Sequence, residues 1–221
     1  MSLPARALIA SALLVSNAAF AQSWQAVPSG TAAELRGLSV VSDKVAWASG
    51  AKGTVLRTVD GQQWQAMQVP DADKIDFRDI QAFDAKTAIV MGAGPGAASR
   101  IYRTVDGGAT WKLVTTNQVL DGFWDAMAFW DKDNGILFGD PVKGSFQVYT
   151  TADGGLSWQE VAAKGIEAMP NEGAFAASGT KHTATHSRVS VRGDNVGPGR
   201  CTGWRAPTRG RTGERRLRPV P

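Results

Sequence analysis

Three carboxylates recur in matching surroundings. Asp60, Asp106 and Asp153 sit in Arg57-Thr58-Val59-Asp60-Gly61-Gln62-Gln63-Trp64, in Arg103-Thr104-Val105-Asp106-Gly107-Gly108-Ala109-Thr110-Trp111 and in Thr150-Thr151-Ala152-Asp153-Gly154-Gly155-Leu156-Ser157-Trp158. Evenly spaced carboxylates could act as general acid and base or hold a cation. The motif points elsewhere. Each Asp stands alone in its copy, with no second acid beside it. Its side chain can accept hydrogen bonds from its own turn, and the following glycine can take positive φ. Asp60, Gly61, Asp106, Gly108, Asp153 and Gly155 therefore belong to hairpin turns. Trp64, Trp111 and Trp158 open the next strand as large apolar anchors.

A second group has better prospects for binding. Arg36 and Arg78 occupy equivalent places in Leu35-Arg36-Gly37-Leu38 and Phe77-Arg78-Asp79-Ile80. The same alignment puts Trp124 there in the third copy, with Asp79 and Asp125 following in register opposite Gly37. Guanidinium groups suit a carboxylate, a phosphate or an acidic protein segment. The competing reading pairs Arg36 and Arg78 with Asp79 and Asp125 of neighbouring repeats in an internal salt-bridge ring. Asp140-Pro141 is read as a loop cap.

The elements that position these residues repeat with the motif. The three Asp are 46 and 47 residues apart, a period that marks an array or a propeller. Each repeat (about 35–69, 77–115 and 123–162) carries four short apolar or alternating runs separated by turn residues. A fourth repeat starts near Asn171. The expected fold is all-β, a β-propeller of four-stranded antiparallel blades, with the inner strands carrying Arg36 and Arg78 at one mouth of a central channel. Ser23-Trp24-Gln25-Ala26-Val27 matches the last strand of a repeat without its preceding strands. Such an orphan strand is expected to complete a last blade.

The chain ends differ from this body. Arg6, the apolar run Ala7–Val15 and the small-x-small site Ala19-Phe20-Ala21 make residues 1–21 a signal peptide; the run is short for a membrane anchor. After cleavage no segment of transmembrane length remains, so an exported, periplasmic or extracellular protein is expected. Residues 181–221 hold 10 of the 24 Lys and Arg but 2 of the 20 Asp and Glu, so a mildly acidic body carries a basic tail. That tail contains His182, His186 and Cys201, and no Phe, Ile, Met or Tyr. A fourth copy of the turn motif is due near residue 200, where Gly199-Arg200-Cys201 stands. The tail is read as a frameshifted or disordered end to a partial propeller of about three and a half blades over 22–180; the rival is a natural basic tail for an anionic surface. Export and the single tail aromatic, Trp204, argue against nucleic acid. A partial ring leaves an open edge, so poor solubility or rapid degradation is expected, and a sharp reversible melt would contradict it.

The Thr-x-Asp-Gly-Gly-x-Thr-Trp unit resembles the Asp-box, or bacterial neuraminidase repeat. Together with the Leu/Phe-Arg-Gly/Asp-Leu/Ile first strand, it is similar to the photosystem II stability/assembly factor family of the sialidase/YVTN-like propellers. The resemblance covers about residues 23–180. It implies a propeller of about seven blades that serves, without cofactor, as an exported non-catalytic scaffold for a protein partner, such as a membrane complex under assembly. The alternative is a sialidase-like glycoside hydrolase or glycan-binding propeller. A retaining hydrolase holds two catalytic groups about 5 Å apart, and no such pair stands out. Tyr102 and Tyr149 each lie just before a turn motif, and the body has four Glu (Glu34, Glu160, Glu167, Glu172). The body lacks Cys and His, so no metal is expected. The Gly92-x-Gly94-x-Gly96 loop precedes no helix that could take a pyrophosphate.

Overall fold

The computed structural model describes residues 26–162, 167–174 and 176, together with the backbone of strands at 182–185, 188–191 and 202–205. The expected signal peptide, Trp24 and the rest of the tail lie outside the described residues. Three four-stranded antiparallel meanders follow one another. The first blade is β1 (Leu35–Val40), β2 (Ala46–Gly50), β3 (Thr54–Thr58) and β4 (Gln65–Gln68). The second is β5 (Phe77–Ala82), β6 (Ala88–Gly92), β7 (Arg100–Thr104) and β8 (Lys112–Thr116), with one 3-10 turn at Gly96–Ala98. The third is β9 (Trp124–Phe129), β10 (Gly135–Val142), β11 (Ser145–Thr151) and β12 (Gln159–Glu160). A three-stranded sheet, β13 (His182–Thr185), β14 (Arg188–Val191) and β15 (Thr202–Arg205), falls in the segment where the repeat text stops.

First strands pack on first strands: β1 against β5, β5 against β9, β9 against β13. That is the radial arrangement of a partial propeller, with the first strand of each blade innermost. The cores lie between blades. Trp47, Val55, Phe77, Ile80 and Tyr102 join the first two, and Ile89, Met91, Ile101, Trp124 and Leu137 join the second and third. Each β-strand shows one face to each neighbour, which is why the middle strands are apolar on both faces. β2 and β6 are buried throughout.

The inner strands share an irregularity. In β1 the pairing steps from Leu35–Gly50 to Gly37–Ser49, in β5 from Phe77–Gly92 to Asp79–Met91, and in β9 from Trp124–Gly139 to Ala126–Phe138. One residue of each inner strand is thus left out of register: Arg36, Arg78 and Asp125. The partner glycine is required. A Cβ on Gly50 or Gly139 would collide with the backbone carbonyl of Glu34 or Phe123. Those same carbonyls accept the N–H of Ala51 and Asp140, as Asp76 accepts that of Ala93.

This register corrects the alignment of the third repeat by one residue. Trp124 is the counterpart of Leu35 and Phe77, Asp125 that of the two arginines, and Ala126 that of Gly37 and Asp79. Sequence alone misplaced it because Phe123 and Asp125 match the residue types of Phe77 and Asp79, while strand pairing sets the true register one residue later.

Candidate functional site

The three turn motifs form one structure with small variations. In the second blade Thr104 Oγ1 donates to Asp106 Oδ1 at 2.8 Å and accepts the Gly108 N–H at 3.0 Å. Asp106 Oδ1 also accepts the Thr110 N–H at 2.9 Å, and Oδ2 the Thr110 hydroxyl at 2.5 Å. Thr151, Asp153, Gly155 and Ser157 repeat this pattern in the third blade. The shortened copy keeps the core of it: Asp60 accepts from Thr58, Gln62 and Gln63. Gly61, Gly107, Gly108, Gly154 and Gly155 all have positive φ. The Thr110 hydroxyl and amide hold the Asp106 carboxyl down at about 2, and the Gln63 amide foremost lowers that of Asp60. At Asp153 burial pushes upward, but the Ser157 hydroxyl and amide prevail and its pKa is lowered. Carboxylates held this way are acceptors within their own turns and are poor proton donors near neutral pH.

The tryptophans of these hairpins reach to the preceding blade. Trp111 meets Trp47 edge-on at 6.3 Å between ring centroids, and Trp158 meets Phe129, itself edge-on to Phe83 of the second blade. Gly108 and Gly155 make the approach possible, since a Cβ on either would overlap Met67 Sδ or Ile89 Cδ1. Trp64, in the first blade, is half-buried.

At the starting ends of the inner strands the structure gathers a charged cluster. Arg78 Nε donates to Asp76 Oδ2 at 2.9 Å, and Arg36 Nε lies 3.5 Å from the same oxygen. Arg36 Nη2 donates to Glu34 Oε2 at 3.1 Å. Arg78 Nη1 reaches the carbonyl of Ala176, at the start of the fourth repeat, at 2.9 Å. Asp140 Oδ1 accepts the Ala174 N–H at 2.8 Å, but Asp140 and Pro141 lie within β10 and not in the loop expected for them. Both arginine side chains keep a quarter to a third of their surface exposed, 26% for Arg78 and 34% for Arg36.

The rival reading's salt-bridge ring of Arg36 and Arg78 with Asp79 and Asp125 is not formed. Asp79 lies buried between blades, its Oδ1 accepting the Ile80 N–H and its Oδ2 the Met127 N–H, both at 2.8 Å. Burial pushes its pKa up to about 6, against the pull of those two amides. Asp125 is buried too. Trp124 is a core residue, 2% exposed, edge-on to Tyr149; it offers no face at the mouth. The inner strand faces the neighbouring blades, so the residues after the slip point into the interblade core. The acid that organises the arginines is Asp76, which the motif reading missed. A signal was present: Glu34 and Asp76 both stand one residue before the inner strand.

Two guanidinium groups thus converge on one carboxylate and keep part of their surface exposed, a geometry chemically suited to a carboxylate or phosphate. Among the described residues no paired acid and nucleophile stands with them. Among the described residues no group of three or more His, Cys, Asp or Glu is placed to hold a metal ion.

A family model described as photosynthesis system II assembly factor YCF48 matches residues 16–218. The fold is similar to that of a solved structure described as YCF48 bound to D1 peptide, with 19% identity and a TM-score of 0.57, covering 91% of this chain and 59% of that one. It is also similar to YCF48 from Cyanidioschyzon merolae, with 18% identity and a TM-score of 0.57, covering 90% of this chain and 59% of that one. The chain therefore spans about three-fifths of the length of these solved structures. No curated protein matches it.

Proposed function

Because the chain belongs to the photosynthesis system II assembly factor YCF48 family, we propose that it is a non-catalytic propeller scaffold whose inner-strand mouth binds an acidic segment or C-terminal carboxylate of a protein partner. The observation that carries this reading is the convergence of Arg36 and Arg78 on Asp76. A bound carboxylate would take the exposed guanidinium edges that Asp76 leaves free. That a solved relative is described as holding a peptide supports a peptide as the ligand class. The turn-motif aspartates, locked in their own hairpins, leave the scaffold reading ahead of a hydrolase. The signal-like residues 1–21 support export, and with it a partner at or outside a membrane, such as a membrane complex under assembly. Among the described residues no helix is long and apolar enough to cross a membrane.

Fluorescence anisotropy with a short labelled acidic peptide tests the reading. Affinity is expected to fall about tenfold for Arg78→Gln and further for the Arg36→Gln/Arg78→Gln pair, with the free C-terminus preferred over its amide. Binding indifferent to both substitutions would overturn it. So would turnover of aryl glycosides that the same substitutions abolish.

A further inference from the structure

Two consecutive blade junctions are built from the same repeat, and they are filled differently. At the first junction Arg57 stacks over the Trp47 ring at 5.5 Å and donates to the Ala85 carbonyl at 2.9 Å. Its cross-strand neighbour on β4 is the neutral Gln65. Met67, three residues after Trp64, fills the space against Gly108 of the next blade. At the second junction the arginine and the glycine persist as Arg103 and Gly155, and the groups around them change. The residue paired with Arg103 on the inner side is Ile89 in place of Trp47, and on the outer side Lys112 in place of Gln65. The residue three after Trp111 is Val114, shorter than Met67 and standing at a register slip in β8. A cleft of about 120 Å³ lies here, lined by Arg103, Thr104, Val105, Thr110, Lys112 and Val114 of the second blade and by Leu156 from the third.

The cleft is cationic on one side and apolar on the other. Like charges directly opposed on adjacent strands destabilise a sheet unless an anion lies between them. Arg103 spends Nε on the Gly154 carbonyl at 3.3 Å, and neither Arg103 nor Lys112 makes an ion pair among the described residues. Asp106 and Asp153, in the flanking hairpins, are bound up in their own turns. We infer that this interblade cleft binds a short aliphatic carboxylate, its charge between Arg103 and Lys112 and its branched carbons against Val105, Val114 and Leu156. That chemistry is met by a free branched-chain acid or by a peptide ending in leucine. The site is separate from the Arg36–Arg78 mouth and stands or falls without it.

The test is an amide chemical-shift titration of the full chain with isovalerate, acetate and the neutral isovaleramide, and with a tripeptide ending in leucine as free acid and as amide. Saturable shifts are expected at Lys112, Gly154 and Leu156 with isovalerate, and none with isovaleramide. Lys112→Gln, an exposed substitution, should weaken binding about tenfold. Leu156→Ser should erase the preference for isovalerate over acetate, and Val40→Thr, exposed on the first blade, should leave the shifts at Lys112, Gly154 and Leu156 unchanged. Tighter binding of the free-acid tripeptide would assign the site to a chain terminus, and equal or tighter binding of isovalerate to a free acid. Absence of saturable shifts with both, equal shifts with the amides, or binding unaltered by Lys112→Gln would overturn the inference.

Discussion

Leu38 and Ile80 hold the same place in consecutive blades, yet Leu38 is 64% exposed and Ile80 3%. The next inward-facing pair repeats the contrast: Val40 is exposed, Ala82 buried. The strands are alike in pattern and register, so nothing within a blade explains it. Ile80 lies against Gly37 and Ala82 takes the Ser39 hydroxyl on its N–H, both from the first blade. Among the described residues nothing covers the corresponding face of the first blade. Burial in such an array belongs to the junction between repeats, and stability is gained one interface at a time.

That contrast can be broken by mutation. Ile80→Ala should lower unfolding stability by about 2–4 kcal/mol, whereas Leu38→Ala should cost about 0.5 kcal/mol or less. Denaturant midpoints of the two variants give the comparison, and equal losses would mean the first face is covered in solution. The next effect is electrostatic. Only the second blade has a carboxylate after the slip, Asp79, where the first has Gly37 and the third Ala126. Its folded pKa, about 6, lies above the ordinary 3.8, so the folded state favours the protonated form. Its stabilising contribution is therefore full below pH 3.8 and is lost as pH rises through about 6, by on the order of 2–3 kcal/mol. Asp79→Asn should remove that slope between about pH 4 and 6 whatever constant cost it adds from altered hydrogen bonding; a slope unchanged in the variant would contradict the assignment.

Two smaller effects sharpen the picture further. Gly108→Ala meets both a φ of +87° and the Met67 sulfur, whereas Gly144→Ala meets a φ of +83° and open space. The first should cost about 2 kcal/mol and the second about 1 kcal/mol by thermal or denaturant unfolding, the difference being the interblade clash. Leu38→Lys with Val40→Thr should leave stability within about 0.5 kcal/mol and raise the concentration at which the chain stays monodisperse by light scattering. No gain in solubility would show that the open face does not limit it.

The all-β architecture of four-stranded antiparallel blades was legible because its signals are short-range. The Thr–Asp–Gly hairpins close through hydrogen bonds spanning four residues or fewer, and those residues are written side by side. Arg36 and Arg78 were also legible as equivalent, since each stands second in the same kind of strand. Their shared partner was not. Asp76 is 40 residues from Arg36, and choosing it over Asp79 depends on which way each side chain leaves the inner strand. Trp124 was misread because an alignment one residue off swaps the mouth for the core.

What the sequence by itself determined is each blade's local grammar. Turn chemistry, strand alternation and the tryptophan that starts the outer strand are all stated within one repeat. What only the tertiary structure decided is everything that lies between repeats. It selected the apolar face that is covered, brought Arg36 and Arg78 to one carboxylate and left a cleft beside Lys112. The physical reason is that a blade cannot bury its own faces, so each of these outcomes depends on a neighbour more than about 30 residues away, where no local pattern reaches.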